Sequence, residues 1–154
     1  MHKLWIIGLV SCTLLLSADV DEETFGLKNG RFWSTLATEE TAIFLVGMVD
    51  GWKLREHTEE AIPGKVILVW NATAPFKYSE LANMVGLAYA NPENMSLPIG
   101  WVVMACLAVQ RGDTARDPLF EALRKHLTDL RSRPGTFYTS DISPVDVILK
   151  LKKK

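Results

Sequence analysis

The sequence predicts an all-α fold: a small bundle of four or five helices behind an N-terminal signal segment. Three observations predict it. Apolar residues recur at helical spacing through most of the chain beyond residue 38. The single β-branched run, Lys65-Val66-Ile67-Leu68-Val69-Trp70, has no second run to pair with, so a short helix or packed extended segment is expected there. An almost unbroken apolar stretch fills residues 4–16, and acidic residues follow it closely.

The chain has 154 residues, of which 48% are hydrophobic and 23% charged, the size and balance of one globular domain with its own core. Five Trp and six Phe argue against disorder. With a formal net charge of −1 there is no broad basic field for nucleic acid and no acidic solvating block. The small basic cluster at residues 150–154 has little apolar area beside it and reads as a solubilising tail with weak or no membrane contact.

Met1-His2-Lys3, the apolar run 4–16, the small pair Ser17-Ala18 and then Asp19, Asp21, Glu22 and Glu23 follow the secretory signal pattern. The run falls short of the roughly 20 residues that span a bilayer comfortably. Cleavage after Ala18 divides the chain into a signal peptide (1–18), a helical domain (19–135) and a C-terminal tail with a short helix (136–154). The expected location is outside the cytoplasm, periplasmic or secreted. Two alternatives stay open. Leu9-Val10-Ser11-Cys12 resembles a lipoprotein box and would put a lipid on Cys12, and residues 4–18 could remain as an uncleaved anchor. After cleavage Cys106 is the one thiol left, so no internal disulfide forms. Its uncharged surroundings, residues 99–109, mark it as a buried small hydrophobe and not a nucleophile.

In chain order, Asn29-Gly30-Arg31-Phe32-Trp33-Ser34 predicts a short helical turn that docks two aromatics on the core. Thr38, with Glu39 and Glu40 behind it, caps a helix over residues 39–60. Its apolar residues, Ile43 to Val46 with Met48, Val49, Trp52 and Leu54, cover most of its circumference, so broad burial is expected. Gly47 and Gly51 share one face, and their cost in helix propensity, roughly 1 kcal/mol each, would be justified by a closely packed neighbouring helix. Pro63-Gly64 breaks the chain, and residues 71–75 form a loop. Ser79 caps a helix over 80–90, Asn91-Pro92-Glu93-Asn94 stops it, and Pro98 opens a central core helix over 99–109 that Gly112 ends. Asp117-Pro118 starts an amphipathic helix with Leu119, Leu123, Leu127 and Leu130 on one face, and Ser143-Pro144 starts a terminal one.

Asp50 is the most conspicuous candidate for chemistry, a mid-helix acid among Val46, Gly47, Val49 and Leu54. It either faces water or needs a partner, such as Lys53 or the 91–94 loop, because an unpaired buried charge is expensive. His57 lies two turns on, roughly 10 Å away, beyond direct contact. Glu56, Glu59 and Glu60 surround the helix instead of converging on His57, so no metal site is expected. His126, within Arg124-Lys125-His126, reads as part of a solvated face. There is no nucleophile elbow, phosphate-cradling glycine loop or zinc Cys pair. No cofactor is implied, and an enzyme is not expected. The sequons at Asn71 and Asn94 read as chance matches.

Three blocks stand together: Asn29-Gly30-Arg31-Phe32-Trp33, Gly47-Met48-Val49-Asp50-Gly51, and residues 89–99, which open Tyr89-Ala90-Asn91-Pro92. Their order resembles small exported bacterial helical proteins of unknown function. The first two blocks are also similar to the helical periplasmic immunity proteins, of the Tai type, that protect bacteria from type VI secretion amidase effectors. That resemblance implies an all-helical inhibitor that binds a toxin enzyme. This chain departs from the pattern in lacking a Cys pair in its mature part, and no inhibitory residue carries over.

The expected function is therefore that of an exported, non-enzymatic helical domain that binds another protein, with an immunity-type inhibitor as the narrower form. The alternative is a binder of a small molecule or envelope component, with a pocket near Asp50, Trp33 and Trp52 and with His57 nearby. An enzyme that uses Asp50 or His57 ranks behind both. Nothing in the sequence sets an oligomeric state.

Overall fold

A computed structural model describes residues 27–58, 77–133 and 144–152, with residues 53–58 and 152 as backbone only. Its helices are α1 (Gly30–Trp33), α2 (Thr38–Thr58), α3 (Tyr78–Tyr89), α4 (Ile99–Gln110), α5 (Arg116–Arg131) and α6 (Val145–Lys152), with a 3-10 turn at Pro92–Asn94. There is no strand among the described residues; one isolated bridge joins Asn29 to Pro98. The fold is all-α, a small helical bundle. The signal segment 1–18 with Cys12, the 65–70 run and the 71–75 loop lie outside the described residues.

The centre is α4. Its side chains from Ile99 to Ala108 are buried almost without interruption, as an uncharged helix requires. Helix α3 packs along it and along α2, while α5 covers another flank and carries α6. Helix α5 is the most amphipathic: Leu119, Leu123, Leu127 and Leu130 are fully buried, with Glu121, Lys125 and Asp129 turned outward. Helix α6 adds Val145 and Ile148 to the buried set.

The helix starts differ from expectation in detail. Thr38 is the first helical residue, not the cap; the Ala37 N–H donates to Glu40 Oε2 at 2.7 Å, so the acid three positions on satisfies the open end. Ser79 lies inside α3, whose cap position is Lys77 without a side-chain bond. Pro98 is the cap of α4, and α5 begins at Arg116, ahead of Asp117-Pro118. The stop at Gly112 is as expected: its φ of 73° suits a residue without a Cβ.

Two expected burials are corrected. Helix α2 buries one side only. Leu45 and Val49 are fully buried, whereas Ile43 is 71% exposed and Val46 37%. A Cβ at Gly47 or Gly51 would meet nothing within 4 Å, so no helix of this chain packs on that face among the described residues. His126 is not on a solvated face. Its ring stacks on Trp101 with centroids 5.3 Å apart, because position 126, three after Leu123 and one before Leu127, lies at the edge of the buried face of α5.

The first aromatic block and the 89–99 block form one knot. Gly30 N–H donates to Met95 O at 3.0 Å and Ile99 N–H to Lys28 O at 2.8 Å. The Tyr89 hydroxyl donates to Leu97 O at 2.9 Å, and its ring lies over Gly30, where a Cβ would come within 2.4 Å of Tyr89 Cδ1 and 3.0 Å of Met95 Cα. Buried Asn94 donates through Nδ2 to Ala88 O at 2.8 Å and accepts at Oδ1 from Arg124 at 2.7 Å. Both ends of its carboxamide are thus used.

The contrast between glycines is testable. Gly30→Ala forces a methyl into Tyr89 and the Met95 backbone and is expected to cost about 1–3 kcal/mol. Gly47→Ala meets no described residue within 4 Å on its helix and is expected to gain up to about 1 kcal/mol, roughly 2–4 °C in Tm. Thermal melts of the two variants beside the parent check both signs.

Candidate functional site

Trp33 ends α1, and the tight connection to α2 turns its indole between the two helices and α3. The ring packs on Phe44, with centroids 6.5 Å apart, and on Tyr89 at 6.4 Å. It is 7% exposed. The exposed edge forms part of a cleft of about 470 Å³ between α1, the start of α2 and α3. Thr38, Thr41 and Ala42 contribute from α2, and Ser79, Ala82, Asn83 and Gly86 from α3. None of the described lining residues carries a charge.

Helical spacing explains this assembly. Thr38, Thr41 and Ala42 lie at i, i+3 and i+4, as do Ser79, Ala82 and Asn83, so each helix offers one stripe of small residues to the gap. Small side chains at the mouth leave the space open, while Leu45 and Val49 on α2 and Leu81 and Val85 on α3 close the core beneath. Gly86 completes the α3 stripe. A Cβ there would stand 4.0 Å from Trp33 Nε1, an ordinary contact distance, so packing does not demand glycine at this point.

The residues singled out in the sequence do not converge. Trp33 lines the cleft, but neither Asp50 nor Trp52 is among its described lining residues. Asp50 is exposed on the outer side of α2. The 91–94 loop spends its side chains elsewhere: Asn91 Oδ1 accepts from the Glu93 N–H, and Asn94 bonds Ala88 and Arg124. Trp52 is half-buried, with its ring 3.3 Å from where a Cβ of Gly100 would stand, so it helps to seat α2 on α4. The His57 and Lys53 side chains lie outside the described residues. Sequence reasoning found Trp33 but missed Thr41, Asn83 and Gly86, whose shared stripe becomes visible only once α2 and α3 are neighbours.

Among the described residues, no group of three or more His, Cys, Asp or Glu is placed to hold a metal ion. No described helix is long and apolar enough to cross a membrane. Cys106 is buried in α4, and burial pushes its thiol up to about 12 from an ordinary 9.0, with Arg116 opposing the rise. Burial, with the nearby Cys106, also raises the Tyr89 hydroxyl well above its usual range. A thiol held protonated is a poor nucleophile at neutral pH.

The sign of the pH dependence follows. Both groups stay neutral in the folded chain at pH values where the unfolded chain has released their protons. The stability linked to Cys106 is therefore fully present below pH ~9 and is lost as pH rises from ~9 toward ~12, at up to ~1.4 kcal/mol per pH unit. Denaturant titrations across that range are expected to show the loss, with a shallower slope in Cys106→Ala measured from its own baseline. A thiol reagent at pH 8 should modify the native protein at least about 100-fold more slowly than the unfolded chain, as its thiolate fraction dictates.

Compared with protein-family models, curated proteins and solved structures, the chain matches none, so its site stands on its own geometry.

Proposed function

We propose that this protein is an exported, non-catalytic helical domain that binds another protein through the outer face of α2. The observation that carries the reading is the exposure of Ile43 beside Val46 on that face, next to two glycines over which no described residue comes within 4 Å of a Cβ. Ile43, Val46, Gly47, Asp50 and Gly51 follow the i, i+3, i+4, i+7, i+8 spacing of a single helix face. An apolar knob beside a glycine trough suits the close approach of a partner's helix.

Charge specifies the partner further. Glu39 and Glu40 stand exposed at one end of this face, and Asp50, which already has an interaction partner, lies exposed toward the other. The complementary surface is a helix with apolar residues between basic ones. Export rests on the signal pattern of residues 1–18. The narrower reading, an immunity-type inhibitor of a toxin enzyme, rests on the resemblance of the Asn29–Trp33 and Gly47–Gly51 blocks to that family.

The experiment is affinity purification of the tagged protein from its own host, beside Ile43→Asp, with mass spectrometry of what co-elutes and of the N-terminus. A side chain that is 71% exposed can be exchanged at little cost to the fold, so the two proteins should melt together. The expected result is one stoichiometric partner whose affinity falls at least about 10-fold in Ile43→Asp and weakens as salt is raised. Equal recovery by both proteins would sink the assignment of the face. An N-terminus that begins at Asp19 would support export by cleavage, whereas a lipid-modified Cys12 would place the domain on a membrane.

A further inference from the structure

The cleft beside Trp33 is separate from the outer face of α2. Trp33 is 93% buried (7% exposed), yet its indole N–H donates to no acceptor among the described residues. An indole nitrogen can only donate, and this one is not fully buried, so its N–H stands open to the cleft that Trp33 lines. The opening in front of it is kept by Gly86, a mid-helix glycine that packing does not require. Thr41 supplies the opposite valence. Its hydroxyl proton is committed to Thr38 O at 2.6 Å, so the oxygen offers the cleft only lone pairs. Ala42, Ala82 and Met95 add a methyl-sized apolar lining.

We infer that this cleft binds a small uncharged molecule through an acetamido group. The carbonyl oxygen accepts from Trp33 Nε1, the amide N–H donates to Thr41 Oγ1, and the methyl meets the alanine and methionine surface. The exposed side chains of Ser79 and Asn83 at the mouth suit hydroxyls on the rest of the molecule, as in an N-acetylated amino sugar. Charged ligands are disfavoured, because none of the described lining residues supplies a counter-charge for their desolvation. With few polar contacts and an open mouth, the dissociation constant for a single sugar is on the order of 1 mM.

The test uses the chain without residues 1–18 and with 15N-labelled tryptophan, which gives one indole resonance for each of the four Trp that remain, Trp33, Trp52, Trp70 and Trp101. The Trp33 resonance is assigned from its loss in Trp33→Phe. N-acetylglucosamine is titrated to about 50 mM, with glucose as the sugar that lacks the acetamido group. The inference expects the Trp33 indole proton to move downfield and saturate, with glucose at least about 10-fold weaker. Gly86→Leu, which fills the opening, should abolish the shift, and Asn83→Ala should weaken binding several-fold. If Gly86→Leu fails to fold, Thr41→Val keeps the shape and removes the acceptor, and it must lose at least about 10-fold. No movement of the Trp33 resonance, equal movement with glucose, or unchanged binding in Thr41→Val overturns the inference. Ile43→Asp leaves this cleft intact, so the fate of the protein-binding face does not decide the outcome here.

Discussion

The fold turns on one close approach, the Tyr89 ring lying over Gly30. That contact joins the chain's first helical turn to the end of α3, and the hydroxyl of the same tyrosine reaches Leu97 O just ahead of α4. Asn94 extends the junction by capping the last turn of α3 through Ala88 O and taking Arg124 from α5. Four helices therefore meet at a few fully satisfied polar groups inside an apolar setting, where hydrogen bonds are stronger and their loss more costly. The position of Trp33 is a consequence. With Gly30 pinned, α1 has one direction in which to run, and its last side chain must enter the gap between α2 and α3.

Helix positions were legible in the sequence because the core-facing residues of α3, α4 and α5 repeat at helical period and are bounded by Pro, Gly and Asn. The cap residues were not. Ser79 and Asp117 are good cap formers, but the helices start ahead of them, at Tyr78 and Arg116, with cap positions Lys77 and Ala115 that make no side-chain bond. Helix α2 shows a deeper limit. Its apolar residues nearly encircle it, and periodicity cannot separate an apolar side that meets the core from one that meets water. Leu45 and Ile43 look alike in sequence and differ completely in burial.

The candidate site was legible only in part, for a related reason. Asp50 drew notice as an acid among apolar neighbours, yet those neighbours on its own side of the helix are themselves exposed, so it is not a buried charge. Trp33 was identifiable as an aromatic beside a turn. What makes it chemically interesting is an unused donor, and that depends on which side chains α3 happens to bring near. Gly86 carries no sequence signal of its own, because a helical glycine reads as a small cost in propensity until something is seen to occupy, or to leave open, the space above it.

Helix α2 thus serves two environments along opposite sides. Its inner side supplies Leu45 and Val49 to the core and, at its N-terminal end, Thr38, Thr41 and Ala42 to the cleft. Its outer side supplies Ile43, Val46 and the glycine pair. The burial of Leu45 and Val49, worth roughly 1.5–3 kcal/mol per side chain, exceeds the roughly 2 kcal/mol of propensity lost at Gly47 and Gly51 together. The inner side can therefore hold the helix in place while the outer side departs from what a stable helix would choose. Two surfaces on one rigid element can each bind independently, because neither needs the helix to move.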